Sequence, residues 1–166
     1  MKNNSWNGLE ADYAYLNLDG RNFLDIGFAI GVNSTSDGRS FVAFDFDHDG
    51  DQDIIVASTN APAQLFVNRW ADRIQSHWLR LRLVDDRGQD ATGATVKVRT
   101  GERVQAKTLS LGSGYLSSYV GPMSFGLGKA TRADSIEVLW PGGSSSRWLN
   151  VAVDQEIELR QTNTPR

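Results

Sequence analysis

Aspartate at every second position from Asp45 to Asp53 restricts the local fold more than any other feature of this chain. The segment reads DFDHDGDQD and places five carboxylates within nine residues. In an extended strand, alternate side chains share one face, so all five charges would lie side by side. Two carboxylates about 5 Å apart repel by roughly 3 kcal/mol at an effective dielectric constant of 20. We therefore expect a folded loop with a cation among its carboxylates.

The spacing of these acids, and the glycine among them, indicate which cation the loop binds. Aspartates at relative positions 1, 3 and 5 can surround one centre, and glycine at position 6, here Gly50, permits a sharp reversal of the chain. Oxygen ligands without sulfur favour Ca²⁺ over zinc or copper, and Mg²⁺ demands a tighter octahedral geometry. The predicted calcium ligands are the side chains of Asp45, Asp47, Asp49 and Asp53 and the backbone carbonyl of Asp51.

The loop differs from an EF-hand. That motif places a glutamate at position 12, which is Val56 here, and the flanking FVAF and IIVAS segments are typical of strands rather than helices. The sequence therefore predicts a strand–calcium loop–strand unit, with His48 pointing outward. An acidic, solvated turn without an ion is the alternative.

Short apolar runs separated by glycine-rich turns indicate an all-β protein. The clearest is His77–Val84, in which Leu79, Leu81 and Leu83 alternate with Trp78, Arg80 and Arg82, as in a half-buried strand. About eleven such runs predict an antiparallel β-sandwich or barrel-like domain with the strand–calcium loop–strand unit appended to it. The remaining predicted strands cover Tyr13–Leu18, Phe41–Phe46, Asp53–Ser58, Gln64–Asn68, Ala94–Thr100, Arg103–Ser110, Met123–Leu127, Ser135–Trp140, Arg147–Val151 and Gln155–Arg160.

The composition changes near residue 70, which predicts two units. The aspartate loop and most asparagines precede this point, whereas arginine and regular alternation dominate after it. We predict a calcium-binding repeat over residues 1–72 and a second β domain over 73–166, joined by a short linker at Ala71–Ser76.

Several classes of protein are disfavoured by composition. The chain has no cysteine, which excludes disulfides, thiolate zinc sites and cysteine nucleophiles, and its net charge of −3 provides no general attraction for nucleic acid. No apolar run is long enough to span a membrane, and MKNNSWNGLE shows no signal peptide. The chain has no G-x-S-x-G motif, and its five glutamates are scattered. These features favour a non-catalytic protein.

Aromatic and basic side chains offer a second candidate site. Trp78 lies on the strand face opposite the leucines, together with Arg80 and Arg82, and Tyr115 follows a glycine pair. Flat aromatic faces flanked by polar groups suit sugar rings, although core packing is the commoner role of aromatic residues in strands. Trp78, Arg80, Arg82 and Tyr115 are therefore candidate ligand-binding residues.

Two parts of the sequence resemble known families. DGRSFVAFDFDHDGDQDIIVAS followed by APAQLFVNR resembles the calcium-binding FG-GAP/VCBS repeat, a frequent blade of extracellular β-propellers. The pieces HWLRLRLV, TGATVKVRT, LGSGYLSS and FGLGKATRADSIEVLWPGG resemble the ASPIC/UnbV domain, which follows such repeats in the cartilage acidic protein-like family. The resemblance implies calcium binding, an extracellular or periplasmic location, a recognition or scaffolding role, and no catalytic residues.

The resulting hypothesis is a non-catalytic, calcium-binding recognition or scaffolding module whose ion is structural. The alternative is a carbohydrate-binding or carbohydrate-active protein that uses surface aromatics and carboxylates. The partner is expected to be a protein or a glycan, with a homodimer as one further expectation. Because one loop cannot close a propeller, the repeat is expected to pack against the C-terminal half or to pair with another chain.

Overall fold

The chain is nearly all β, as predicted. The computed structural model describes residues 10–59, 61–70, 74–112 and 114–162. The elements of the N-terminal part are β1 (Tyr15–Asn17), β2 (Phe23–Asp25), α1 (Gly27–Ile30), β3 (Asp37–Phe44), β4 (Asp53–Thr59) and β5 (Gln64–Phe66). The elements of the C-terminal part are β6 (His77–Val84), β7 (Thr95–Thr100), β8 (Arg103–Thr108), β9 (Met123–Gly128), β10 (Arg132–Leu139), β11 (Ser145–Ala152) and β12 (Gln155–Arg160).

The N-terminal part contains a β1–β2 hairpin and a three-stranded antiparallel sheet in the order β3-β4-β5. The last residue of β3, Phe44, pairs with the first residue of β4, Asp53. The aspartate loop therefore connects two neighbouring antiparallel strands, so its two ends are held close together by the strand ladder.

The C-terminal part is a sandwich of two sheets, with strand orders β11-β10-β7-β8 and β12-β6-β9. The inward-facing leucines of β6, Leu79, Leu81 and Leu83, are at most 2% exposed and belong to one core cluster with residues of both sheets. Alternation along β6 places these apolar side chains on one face, and their burial removes them from water. The other core members include Val96, Val98, Phe125, Leu127, Ala133, Ile136, Val138, Trp140 and Leu159.

The largest core side chain carries a polar group that the fold satisfies. Trp140 is 2% exposed, and its indole Nε1 donates a hydrogen bond of 2.8 Å to Ser146 Oγ on β11. A buried indole N–H without an acceptor would destabilise the core, so this hydroxyl lets a large aromatic fill the sandwich.

Several strand ends differ from the prediction, as in β3, which covers Asp37–Phe44 and not Phe41–Phe46, and two further differences concern the pairing and the number of strands. The pairing of β6 with β12 is parallel, with Arg80 opposite Glu156, whereas all other strand pairs in the described residues are antiparallel. In addition, Phe23–Asp25 forms β2, which apolar alternation did not predict, although ADYAYLNLDGRNFLDI resembles the strand pair that precedes the loop in FG-GAP/VCBS proteins. All three residues of β2 are exposed, so it lacks the buried alternation by which the longer strands are recognised.

The two parts of the chain contact one another through side chains. Gln52 Nε2 donates to Ser124 Oγ of β9 at 3.1 Å, and Ser117 Oγ donates to the Phe41 carbonyl of β3 at 2.9 Å. Part of the predicted linker, residues 71–73, lies outside the described residues, so the 72/73 boundary stays a prediction.

None of the helices in the described ranges is long and apolar enough to cross a membrane.

Candidate metal centre and neighbouring groove

The aspartate loop reverses direction through two residues with left-handed backbone conformations. His48 has φ 64° and Gly50 has φ 95°. Gly50 is required for a second reason, because a Cβ at this position would lie 2.0 Å from Cδ1 of Trp78. The glycine at position 6 of the motif therefore provides both the turn and the space for an aromatic ring from β6.

Three of the five predicted metal-binding residues converge. Asp45, Asp47 and Asp49 each offer a carboxylate oxygen, and these oxygens all lie within 4.8 Å of one another. Asp45 is buried, Asp49 is half-buried and Asp47 is exposed, so the cluster extends from the protein interior to solvent. This is the group of hard oxygen donors that the D-x-D-x-D spacing predicts.

The Asp45 carboxylate is the most informative member of the cluster. Its Oδ2 accepts the Gly50 N–H at 3.0 Å and Nη1 of Arg80 at 2.7 Å. Its Oδ1 is buried and has no hydrogen-bond partner among the described residues. A buried carboxylate oxygen without a partner is energetically unfavourable, and it lies in the group where a cation would bind. The donor set therefore fits a hard divalent cation such as Ca²⁺.

Ionisation of the Asp49 carboxyl is disfavoured first by burial and then by the neighbouring carboxylates. Burial raises the pKa of the Asp49 carboxyl, and the neighbouring carboxylates Asp47, Asp51 and Asp45 raise it further. The Asp51 N–H, which donates to Asp49 Oδ1 at 2.8 Å, opposes this effect. A divalent cation at this position would remove the repulsion that disfavours the ionised form.

Asp53 has a different environment from that predicted for a metal ligand. It is fully buried, its Oδ2 accepts the Phe46 N–H at 2.7 Å, and its Oδ1 accepts the Asn68 N–H at 2.7 Å. Asp53 lies outside the converging group, as does Asp51. The Asp53 side chain thus joins the start of the loop to the segment after β5, and the predicted ligation by the Asp51 carbonyl stays a prediction.

Two of the candidate ligand-binding residues on β6 lie against this loop. Trp78 is half-buried and packs on Gly50, and the Arg80 guanidinium lies over the Trp78 ring at 4.9 Å from its centroid. Arg80 is 8% exposed and bonds to Asp45, and its Nε lies 3.3 Å from Glu156 Oε2. The sequence indicated the common face of these residues but gave no sign that the loop covers it.

The other two candidates lie elsewhere. The Arg82 side chain is 56% exposed, with its Nε 3.6 Å from Asp90 Oδ1. Tyr115 is 73% exposed and follows β8. The four candidate residues therefore do not form one site.

Tyr115 lines a groove of about 550 Å³ between β3 and the segment that joins β8 to β9. Lys107 is the one charged residue among the described residues that line the groove. Its Nζ donates a hydrogen bond to the Ser124 carbonyl at 2.5 Å. Burial lowers the pKa of this amine. Tyr119 also lines the groove, and its ring centroid lies 6.3 Å from that of Phe44. Burial raises the pKa of its hydroxyl. The other lining residues include Phe41, Val42, Ala43, Gln52, Ser110, Ser117, Ser118, Pro122 and Met123.

The C-terminal part of the chain is similar to known proteins. Residues 85–166 match the family model described as "ASPIC and UnbV". The chain is 37% identical over 108 residues to Cartilage acidic protein 1 of Homo sapiens, an alignment that covers 64% of this chain and 16% of that protein. It is 36% identical over 117 residues to Cartilage acidic protein 1 of Xenopus tropicalis, covering 68% of this chain and 18% of that protein.

The chain therefore spans less than a fifth of the length of these curated relatives. The ASPIC/UnbV part of the sequence resemblance is confirmed. The FG-GAP/VCBS repeat stays a prediction that rests on the aspartate motif and its flanking strands.

Proposed function

We propose that this protein is a non-catalytic, calcium-binding recognition or scaffolding module in which the ion stabilises the aspartate loop. The observation that carries the proposal is the convergence of Asp45, Asp47 and Asp49 together with the partnerless, buried Oδ1 of Asp45. Calcium supplies a hard cation for these oxygens, and because it binds the folded loop it stabilises the fold by mass action.

Thermal unfolding with and without calcium tests this proposal. At a calcium concentration 100 times the dissociation constant, the gain is about 2.7 kcal/mol, which for a chain of this size corresponds to a rise of roughly 5–10 °C in Tm. Asp47→Asn removes an exposed carboxylate of the cluster and should abolish most of the rise. Asp86→Asn removes one exposed carboxylate from the acidic turn after β6 and should retain it.

Isothermal titration with calcium and with magnesium provides the second measurement, with calcium expected to bind more tightly because the loop is rich in carboxylates and Mg²⁺ demands near-ideal octahedral geometry. An unchanged Tm together with no binding heat at millimolar calcium would refute the proposal. An equal loss in Asp47→Asn and Asp86→Asn would show that net charge, rather than a site, governs the response.

The groove that Tyr115 lines lacks the carboxyl pair of a glycosidase. Glycoside hydrolysis requires two carboxyl groups across a cleft, and none of the described residues that line the groove is acidic. The extracellular or periplasmic location is likewise part of the proposal; it rests on the family resemblance and on relatives that are named for cartilage.

A second candidate function, carbohydrate binding, is favoured by Tyr115 at the groove. Its exposed ring and the serine hydroxyls of the lining are the groups with which proteins contact sugar rings. Binding to a glycan array should be lost in Tyr115→Ala and retained in Tyr15→Ala, which removes a similarly exposed tyrosine outside the groove. Equal binding by both variants, or no binding by the wild type, excludes this role for the groove.

Scaffolding is supported by exposed apolar side chains in the N-terminal part. Tyr13 and Tyr15 stack with their ring centroids 6.0 Å apart. Exposed apolar groups that lie together are a mark of a protein interface, and a protein partner or a second copy would cover them. Sedimentation at several concentrations separates the two: a dimer shows concentration-dependent association, and a monomer does not. The residues concerned include Tyr13, Tyr15, Leu18, Phe23, Phe28 and Phe41, each more than half exposed.

A further inference from the structure

Arg80 is a buried charge that the C-terminal sandwich places on the aspartate loop. It lies at the fourth position of β6, and its side chain is 10% exposed. Buried charges are retained in proteins when they are paired and held in a fixed geometry. Arg80 has one hydrogen-bonded partner, Asp45 at 2.7 Å, and the Trp78 ring lies beneath the guanidinium. Glu156 is an ion-pair contact at 3.3 Å from Nε, which has no hydrogen-bond partner among the described residues.

The position of Arg80 relative to the Asp45 carboxylate is specific. Nη1 of Arg80 bonds to Oδ2, whereas Oδ1 of the same carboxylate is buried without a partner in the described part of the chain. Oδ2 of Asp45 therefore binds the arginine, and Oδ1 is available to an ion. Nδ1 of His48 lies 3.4 Å from Arg80 Nη1, so the loop also closes around the guanidinium.

We infer that Arg80 is a built-in counter-ion of the aspartate loop, which keeps the loop folded when calcium is scarce and lowers its affinity for calcium. The inference rests on the proposed calcium site and defines how that site is regulated. An arginine and an ion that share one carboxylate repel each other, so the arginine opposes calcium binding. Without the ion, the same arginine neutralises part of the charge that would otherwise open the loop.

The test replaces Arg80 by methionine, which keeps a long apolar side chain and removes the charge. Calcium titration of Arg80→Met should show binding tightened by about tenfold or more, because a neighbouring positive charge has been removed. Thermal unfolding should show a larger decrease in Tm in chelator than in saturating calcium, and for a tenfold gain in affinity the two losses differ by about 1.4 kcal/mol. The titration and the unfolding experiments form a thermodynamic cycle. The gain in calcium-binding free energy equals the stability loss of Arg80→Met in chelator minus its loss in saturating calcium.

Arg82→Met is the matched control. It removes the same charge from the same face of the same strand, but its side chain is exposed and its nearest carboxylate is Asp90 at 3.6 Å. Its calcium affinity should stay within about threefold of the wild type, because an exposed charge is screened by solvent. Arg80→Lys, which retains the charge, should recover calcium affinity toward the wild-type value. A purely structural arginine would predict the opposite, weaker binding in Arg80→Met without rescue by lysine.

The outcomes separate this inference from the proposed function. If the wild type binds no calcium, both fail. If the wild type binds calcium and the folded Arg80→Met variant binds it equally or more weakly, only the counter-ion role is overturned. If Arg80→Met folds with calcium and not in chelator, the inference is supported.

If Arg80→Met folds in neither condition, Glu156→Gln decides. It removes the second carboxylate that pairs with Arg80. The positive charge of Arg80 then interacts with Asp45 alone, so calcium should bind several-fold more weakly. Glu158→Gln, whose carboxylate pairs with Arg160, is the charge-matched control. Equal affinities in the two glutamine variants would overturn the inference.

Discussion

Replacing Gly50 by alanine should destabilise the protein more than a change of one methyl group suggests. The new Cβ would lie 2.0 Å from Cδ1 and 2.2 Å from Nε1 of Trp78. Carbon atoms in contact are normally about 3.5–4.0 Å apart, so the indole must retreat by about 1.5–2 Å. Because the ring supports Arg80, this movement disturbs the whole contact between the loop and β6.

The magnitude has two parts. An L-residue in the left-handed region, here at φ 95°, costs about 1–2 kcal/mol, and overpacking of a fitted contact costs about 1–3 kcal/mol more. We therefore expect a loss of about 2–5 kcal/mol for Gly50→Ala, or roughly 4–20 °C in Tm for a chain of this size. Urea denaturation in the presence of chelator measures the loss without contribution from calcium.

Gly93 and Trp78 provide the controls. Gly93 has nearly the same backbone conformation, φ 91°, but no atom lies within 4 Å of its added Cβ. Gly93→Ala should therefore cost only the backbone part, about 1–2 kcal/mol. In a Trp78→Ala background, Gly50→Ala should also fall to that value, giving a coupling energy of about 1–3 kcal/mol. Equal losses for the two glycines, or a loss at Gly50 independent of Trp78, would refute the packing argument.

Two further substitutions test roles that differ from those of the converging carboxylates. Asp53→Asn places a donor where the Phe46 and Asn68 N–H groups require acceptors, so a loss of about 3 kcal/mol is expected in urea denaturation even in chelator; a loss confined to calcium-containing buffer would instead indicate a metal ligand. Hydrogen bonds to Asp85, led by that from the Gln89 N–H, lower the pKa of its carboxyl, so its contribution to stability is complete above pH 3.8 and is lost as the pH falls below that value. The difference in urea midpoint between wild type and Asp85→Asn should therefore shrink as the pH falls from 5 toward 2, and a constant difference would contradict this assignment.

Local patterns were sufficient to predict the strands with strong alternation. The bounds of β6 and β12 agree with the prediction because alternate apolar residues and flanking turn residues specify both the face and the ends of a strand. The convergence of Asp45, Asp47 and Asp49 was also predictable, since the carboxylates are close in sequence and glycine fixes the bend.

Contacts between distant segments were not predictable in this way. Asp53 has the spacing of a ligand, yet its oxygens accept N–H groups whose positions depend on how β5 pairs with β4. Arg80 has the spacing of a solvent-facing residue, yet the loop covers it. The parallel pairing of β6 with β12 was also not predictable, because alternation within one strand does not specify the direction of the neighbouring strand.

The parallel pairing of β6 and β12 has a consequence for how the protein is made. β6 is the middle strand of its sheet, and one of its two neighbours is β12, which lies more than 70 residues further along the chain. Synthesis proceeds at about 5–20 residues per second. The edge of β6 that pairs with β12 therefore stays unpaired while most of the C-terminal part is synthesised. Such an unpaired strand edge can associate with other nascent chains, so residues 77–84 are open to intermolecular pairing until β12 has been synthesised.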